Sequence, residues 1–202
     1  MPFVIGIDGV GAAGKSILAE KLHAVLPGSI VIGMDDFCYP PSFKDGQWWG
    51  QGIADSYGFD WKRIRDQVML PFSGGKKSIR YDKLNWNSYA LERTLLAHDG
   101  DILIVEGMTS SRAELRGLLN LSIWLDSDDE GRIERIRKRD GDEMIGYWER
   151  EFLPGARQYV QKHAPEDHAD IVFNVLDATE SDFQELVRKI RASFQKTKRR
   201  LW

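Results

Sequence analysis

A chain of 202 residues is the size of one domain and can bury about 70% of the surface its unfolded form exposes. Hydrophobic residues make up 42% and charged residues 29%, a globular balance that excludes wholesale disorder. The net charge of −3 excludes a global basic field for nucleic acid or anionic membrane, and the single cysteine, Cys38, excludes a disulfide framework or a cysteine-based zinc cluster. In chain order, the first predicted element is a strand over 3–7, cut by Asp8. It is too short for a secretory signal or a membrane span and no later run reaches 18 apolar residues, so a soluble, cytoplasmic protein is expected. A helix over 15–26 and a strand over 30–34 follow, then helices over 61–70 and 88–97. Strands over 102–105 and 121–125, helices over 129–139 and 145–163, and a strand over 171–175 complete an alternating pattern. The strand runs are rich in Val and Ile with little alternation, as parallel strands covered on both faces require. A last helix carries Phe183, Leu186, Val187, Ile190 and Phe194 on one face, with capping-box spacing at Ser181 and Gln184.

The segment 38–58 interrupts this order. It combines Pro40, Pro41, Gly46, Gly50 and Gly52 with Tyr39, Phe43, Trp48, Trp49 and Tyr57. So long an aromatic loop reads as a lid or pocket wall, or as a surface loop that buries its own rings. Trp124 lies inside a strand run and reads as core, and the four histidines show no metal-ligand spacing.

Residues 9–16, Gly9-Val10-Gly11-Ala12-Ala13-Gly14-Lys15-Ser16, match G-x-x-x-x-G-K-[ST] between a strand and a helix. Glycines let the backbone close around anionic oxygens, and the helix that follows presents its positive end. The expected phosphate cradle is Gly9, Gly11, Ala12, Ala13, Gly14, Lys15, Ser16 and Ile17, with Lys15 on the β/γ-phosphates and the Ser16 hydroxyl on Mg²⁺. ATP and Mg²⁺ are therefore the expected cosubstrate and ion.

Two further strand ends carry carboxylates. Asp35 and Asp36 follow the second strand, at the sheet edge where α/β proteins bind ligands, so a general base is expected there. Glu106 ends the strand over 102–105 and precedes Gly107, a position suited to holding Mg²⁺ directly or through water. Each carboxylate also has a plain reading, as a turn, a cap or a surface charge. Arg132, Arg135 and Arg139 share one helix face, which is either solvated or turned toward phosphate.

With these residues in place, the chain resembles the uridine kinase family of P-loop kinases, which includes nicotinamide riboside kinases and phosphoribulokinase. The resemblance runs over 3–173. Asp35-Asp36-Phe37-Cys38 is similar to the family's Asp-x-Phe-Tyr, which implies that Asp35 is the base. Asp36-Phe37 with Tyr39-Pro40 is similar to the nicotinamide riboside branch. Tyr81-Asp82 resembles a Tyr-Asp pair whose Tyr approaches the nucleobase, and Val105-Glu106-Gly107 resembles the Glu-Gly after the third core strand. The stretch from Arg132 through Arg139-Asp140 resembles the lid helix, which gives Arg135 and Arg139 a catalytic role, and Ala169-Asp170-Ile171-Val172 resembles the terminal Ala-Asp-strand motif. The implied fold is a three-layer α/β sandwich: five parallel strands in order 2-3-1-4-5, helices on both faces, and a small helical lid over about 132–150 within one domain, 1–202.

Three positions depart from the family pattern. Gly141-Asp142-Glu143 stands where the family has further lid arginines, and Trp86 stands where uridine kinases place a base-contacting His. Asp55 is nearest in spacing to the ribose-binding Asp, whereas Asp60 reads better as a helix cap. Asp55, Tyr81 and Trp86 are the expected acceptor contacts. The expected function is transfer of the ATP γ-phosphate to a hydroxyl of a nucleoside-like acceptor. The alternatives are a kinase for nicotinamide riboside or another riboside, or a nucleotide-binding regulator without phosphotransfer. A polynucleotide acceptor is disfavoured by the charge of −3, the basic end at 196–200 reads as solvated helix-terminal charge, and self-association is left open.

Overall fold

The computed structural model describes residues 1–40, 57–127, 129–174 and 178–199. Its centre is β1 (Phe3–Asp8), buried along its whole length between two parallel neighbours. These are β5 (Ile102–Glu106) and β6 (Leu121–Asp126); β2 (Ser29–Gly33) flanks β5 and β7 (Ile171–Asn174) flanks β6. The sheet order is β2-β5-β1-β6-β7. Numbered among themselves, these five parallel strands run 2-3-1-4-5, the expected order; the labels differ because two strands outside the sheet intervene.

The sheet splits the core into two apolar layers, as strands covered on both faces must. Phe3, Ile5 and Ile7 face Leu18 and Leu22 of α1 (Lys15–Val25) together with Phe183, Leu186, Val187 and Ile190 of α8 (Glu180–Arg199). Val4, Leu103 and Val105 face the other layer, which holds Ala156 and Tyr159 of α7 (Leu153–His163). Each such side chain contributes about 1.5–3 kcal/mol by leaving water. Trp124 belongs to this second layer, as expected. No helix among the described residues is long and apolar enough to cross a membrane.

The expectation of a helix over 88–97 is overturned. Those residues form β4 (Ala90–Ala97), paired antiparallel with β3 (Ser78–Asn85), a strand the hydropathy pattern had not revealed. Leu91 and Leu95 have helical spacing, yet the local geometry is that of a hairpin. The Asn85 side-chain oxygen accepts from the Asn87 and Ser88 N–H groups at 2.8 and 3.1 Å, and Tyr89 takes a left-handed φ of 54°.

The helix over 61–70 extends to Ser73 as α2 (Trp61–Ile64), a π turn (Arg65–Met69) and α3 (Leu70–Ser73). Asp60 caps it, accepting from the Arg63 N–H at 3.0 Å. After β5 comes α4 (Ala113–Arg116). The segment expected to be the lid consists of α5 (Asp129–Asp140), α6 (Asp142–Tyr147) and a π turn (Trp148–Phe152) that runs on into α7. The cap of α8 is Thr179 with Asp182, not Ser181 with Gln184. The Asp182 carboxylate accepts from the Thr179 N–H at 2.8 Å, and the Thr179 hydroxyl accepts from the Asp182 N–H at 3.3 Å. Gln184 instead donates to Glu180.

Behind the sheet edge, Arg112 is fully buried under Trp61, its guanidinium 4.8 Å from a ring centroid. It donates to both oxygens of Glu114, at 2.8 and 3.1 Å. That pairing lowers the Glu114 carboxyl to about 2 from an ordinary 4.5. The stabilisation is complete above the unfolded value and is lost as pH falls toward the folded one. Because Glu114 is 39% exposed, solvent screens the pair, and Glu114→Gln should cost about 1 kcal/mol or less at neutral pH. Its thermal midpoint should also fall less steeply than that of the parent between about pH 5 and pH 2; parallel melting curves across that range would disprove the assignment.

Candidate active site

The carboxyl ends of β1, β2 and β5 lie side by side, so the residues that follow these strands meet at one edge. The loop after β1 turns through Ala12 (φ 60°) and Gly14 (φ 87°), both left-handed, the kind of backbone that directs successive N–H groups to one side. Lys15, the first residue of α1, is half-buried and donates from Nζ to the Val10 carbonyl at 2.9 Å. Burial lowers its pKa, opposed by the carboxylates of Asp8, Glu106 and Asp35. The Ser16 hydroxyl donates to Glu106 Oε1 at 3.2 Å. Burial raises the pKa of Glu106, with Lys15 the main opposing charge.

Asp35 lies in a 3₁₀ turn (Met34–Phe37) that closes β2. It shares with Lys15, Ser16 and Glu106 a cavity of about 570 Å³. Asp36 does not line that cavity: its carboxyl is raised by burial and senses Lys83 and Arg63, and the hydroxyl of Tyr81 is raised by burial first and by Asp36 second. Gly107 (φ 132°) follows Glu106, and a Cβ there would stand 2.5 Å from Cβ of Met34, so glycine lets the two strand ends close up.

From the lid, Arg135 donates through Nε to the Ala12 carbonyl at 2.7 Å, while its buried Nη2 has no hydrogen-bond partner among the described residues. Arg139 donates to both oxygens of Asp140, at 2.6 and 2.8 Å, and also lines the cavity. Arg132 is buried and does not line it.

The expected residues thus divide. Gly11, Ala12, Gly14, Lys15, Ser16, Ile17, Asp35, Glu106, Arg135, Arg139 and Trp86 line one cavity. Gly9 and Ala13 support the loop from outside that lining. Tyr81 does not reach the cavity; it is buried against Phe37, ring centroids 5.5 Å apart and nearly parallel. Asp55, like Phe43, Trp48 and Trp49, lies outside the described residues.

Sequence reasoning missed Asp8. Its buried carboxylate accepts from the N–H groups of Gly9 (2.7 Å), Thr109 (3.1 Å) and Ser111 (2.9 Å), and from the hydroxyls of Ser111 (2.7 Å) and Tyr159. It ties the start of the phosphate loop to the segment after Glu106 and to α7. The only sequence signal was an acid ending a buried strand.

No family model matches the chain. Uridine-cytidine kinase A of Dictyostelium discoideum is 30% identical over 148 residues, covering 69% of this chain and 28% of that protein. Uridine-cytidine kinase B of the same organism is 26% identical over 188 residues, covering 85% of this chain and 74% of its own. Among solved structures, a possible uridine kinase from Bacillus stearothermophilus superposes with a TM-score of 0.65 at 20% identity, covering 85% of this chain and 88% of its own. In sequence the chain is similar to uridine kinases, and in fold it matches a P-loop kinase. Between the two helices that follow β6, Gly141 takes a φ of 91° and the Asp142 carboxylate accepts from Arg137 Nε at 2.6 Å.

Proposed function

We propose that the protein is an ATP-dependent small-molecule kinase that transfers the γ-phosphate to a hydroxyl of a nucleoside-like acceptor. One observation carries this reading: Asp35, Lys15, Ser16, Glu106, Arg135 and Arg139 line one cavity. A passive nucleotide binder has no use for a carboxylate at Asp35. In the proposed reaction the acceptor hydroxyl oxygen forms the new bond to γ-phosphorus as the bond to the ADP oxygen breaks, and Asp35 takes the hydroxyl proton. Lys15 and the loop N–H groups hold the β/γ oxygens, and Arg135 and Arg139 offer N–H donors to the charge in transit.

Ser16 and Glu106 fit Mg²⁺: one hydroxyl and one carboxylate already meet at 3.2 Å. No cluster of three metal-ligating side chains exists among the described residues, and Mg²⁺ commonly takes one or two protein ligands and completes its shell with phosphates and water. Held by Ser16 and Glu106, the ion would supply positive charge that offsets the charge of the phosphates. The buried thiol of Cys38 and the net charge of −3 accord with a cytoplasmic enzyme acting on small molecules.

Acceptor choice follows from the cavity wall. Phe59, Trp86, Met108, Phe152 and Leu153 are apolar, and Trp86 is 41% exposed at the rim. An indole offers one donor and no acceptor, so it selects ring shape more than the hydrogen-bonding edge of a base. An ADP-release assay across uridine, cytidine, nicotinamide riboside and simple sugars tests both points. Turnover should appear with ribosides, and kcat/KM should differ among them by less than about 100-fold. A several-thousand-fold preference for uridine would refute this role for Trp86. ATP binding without ADP release on any acceptor would favour the regulator.

A further inference from the structure

Gly11 sits in the phosphate loop at a position the motif leaves open to any residue. Its φ is not left-handed, so its backbone conformation does not call for glycine. The reason lies across the cavity. A Cβ on Gly11 would stand 2.5 Å from Cζ3 and 3.0 Å from Cη2 of the Trp148 indole, closer than packed atoms tolerate.

That indole is not free to step aside. It stacks on Phe152 with ring centroids 4.4 Å apart, and its Nε1–H donates to Asp140 Oδ2 at 3.0 Å. The same carboxylate holds the guanidinium of Arg139, which also lies 5.6 Å from the centre of the Trp148 ring. Trp148 opens the π turn between α6 and α7, and such turns frequently occur at functional sites. Beside it, Arg135 grips the Ala12 carbonyl. The lid therefore bears on two consecutive residues of the phosphate loop, through an indole on Gly11 and a guanidinium on Ala12.

We infer that Trp148 is a positioning residue that seats the lid on the phosphate loop through Gly11 and, by way of Asp140, fixes where Arg139 stands. The inference rests on the nucleotide-binding reading above and deepens it. Any side chain at position 11 would push the indole outward, and Asp140 and Arg139 would move with it, although a methyl group there points at the lid.

The test is a double-mutant cycle on the full chain: parent, Gly11→Ala, Trp148→Leu and the double variant. MgATP affinity is read by calorimetry and folding by melting temperature. In the parent background, Gly11→Ala should weaken MgATP by about 5- to 150-fold, the usual range for two coupled sites. In the Trp148→Leu background, where the indole is gone, the same alanine should change affinity by less than about twofold. Equal losses in both backgrounds would mean that glycine serves the phosphates themselves, and would overturn the inference. No loss in either background would overturn it too, since the indole then yields freely. These two results leave the nucleotide-binding reading standing; a parent that fails to bind MgATP removes both.

Discussion

Lys15→Ala should lower kcat/KM for phosphotransfer by on the order of 10³-fold, about 4 kcal/mol of transition-state stabilisation. The ammonium is the cation that the loop closes around, and it is already surrounded by Asp8, Glu106 and Asp35. Stability should hardly suffer, because burial works against the charged form of this lysine and alanine removes that cost. Without the lysine, Glu106 loses its main opposing cation, so its already raised carboxyl should rise further. Steady-state kinetics beside a melting curve check both halves. Unchanged turnover would remove the loop from the mechanism; a collapsed melting curve would make Lys15 a structural residue.

Asp35→Asn should cost about 10²–10⁴-fold in kcat while leaving MgATP affinity nearly unchanged. The amide keeps the size of the side chain and cannot take a proton from the acceptor hydroxyl. Asp36→Asn is the control within the same turn. Its carboxyl is oriented among Lys83, Arg63 and Tyr81 and does not line the cavity, so its loss should leave the chemical step within a few-fold of the parent. The reverse result, with Asp36 essential and Asp35 dispensable, would exchange their roles. Single-turnover measurements with saturating MgATP separate the chemical step from binding.

Parallel strands buried on both faces write themselves as short apolar runs, which is why β1, β2, β5, β6 and β7 could be placed within a residue or two. Site residues that directly follow such strands inherit that legibility. The loop over 9–16 is contiguous, Glu106 ends β5 and Asp35 stands two residues past β2, so sheet order brings them together. The lid arginines were readable as one helix face, but not their partners: Arg135 on the Ala12 carbonyl and Arg139 on Asp140.

The hairpin shows where local pattern fails. Leu91, Leu95 and Leu96 fit a helical stripe as well as a strand, and the choice fell to cross-strand pairing with a segment that has no clear periodicity of its own. The resemblance places Tyr81 at the acceptor; its stacking on Phe37 within the core layer is a contact that no motif announces.

By itself, then, the sequence determined the α/β class, the phosphate loop and the two carboxylates at strand ends, because each depends on contiguous residues and on burial that hydropathy records; the strand order was implied by the family resemblance and not by any local pattern. Tertiary structure alone decided that Asp8 is a buried anchor, that Asp35 rather than Asp36 faces the cavity, and that Gly11 is glycine because of Trp148. Those outcomes depend on side-chain direction and on contacts between residues far apart in the chain, set by how helices pack on the sheet, and one-dimensional spacing carries no trace of them.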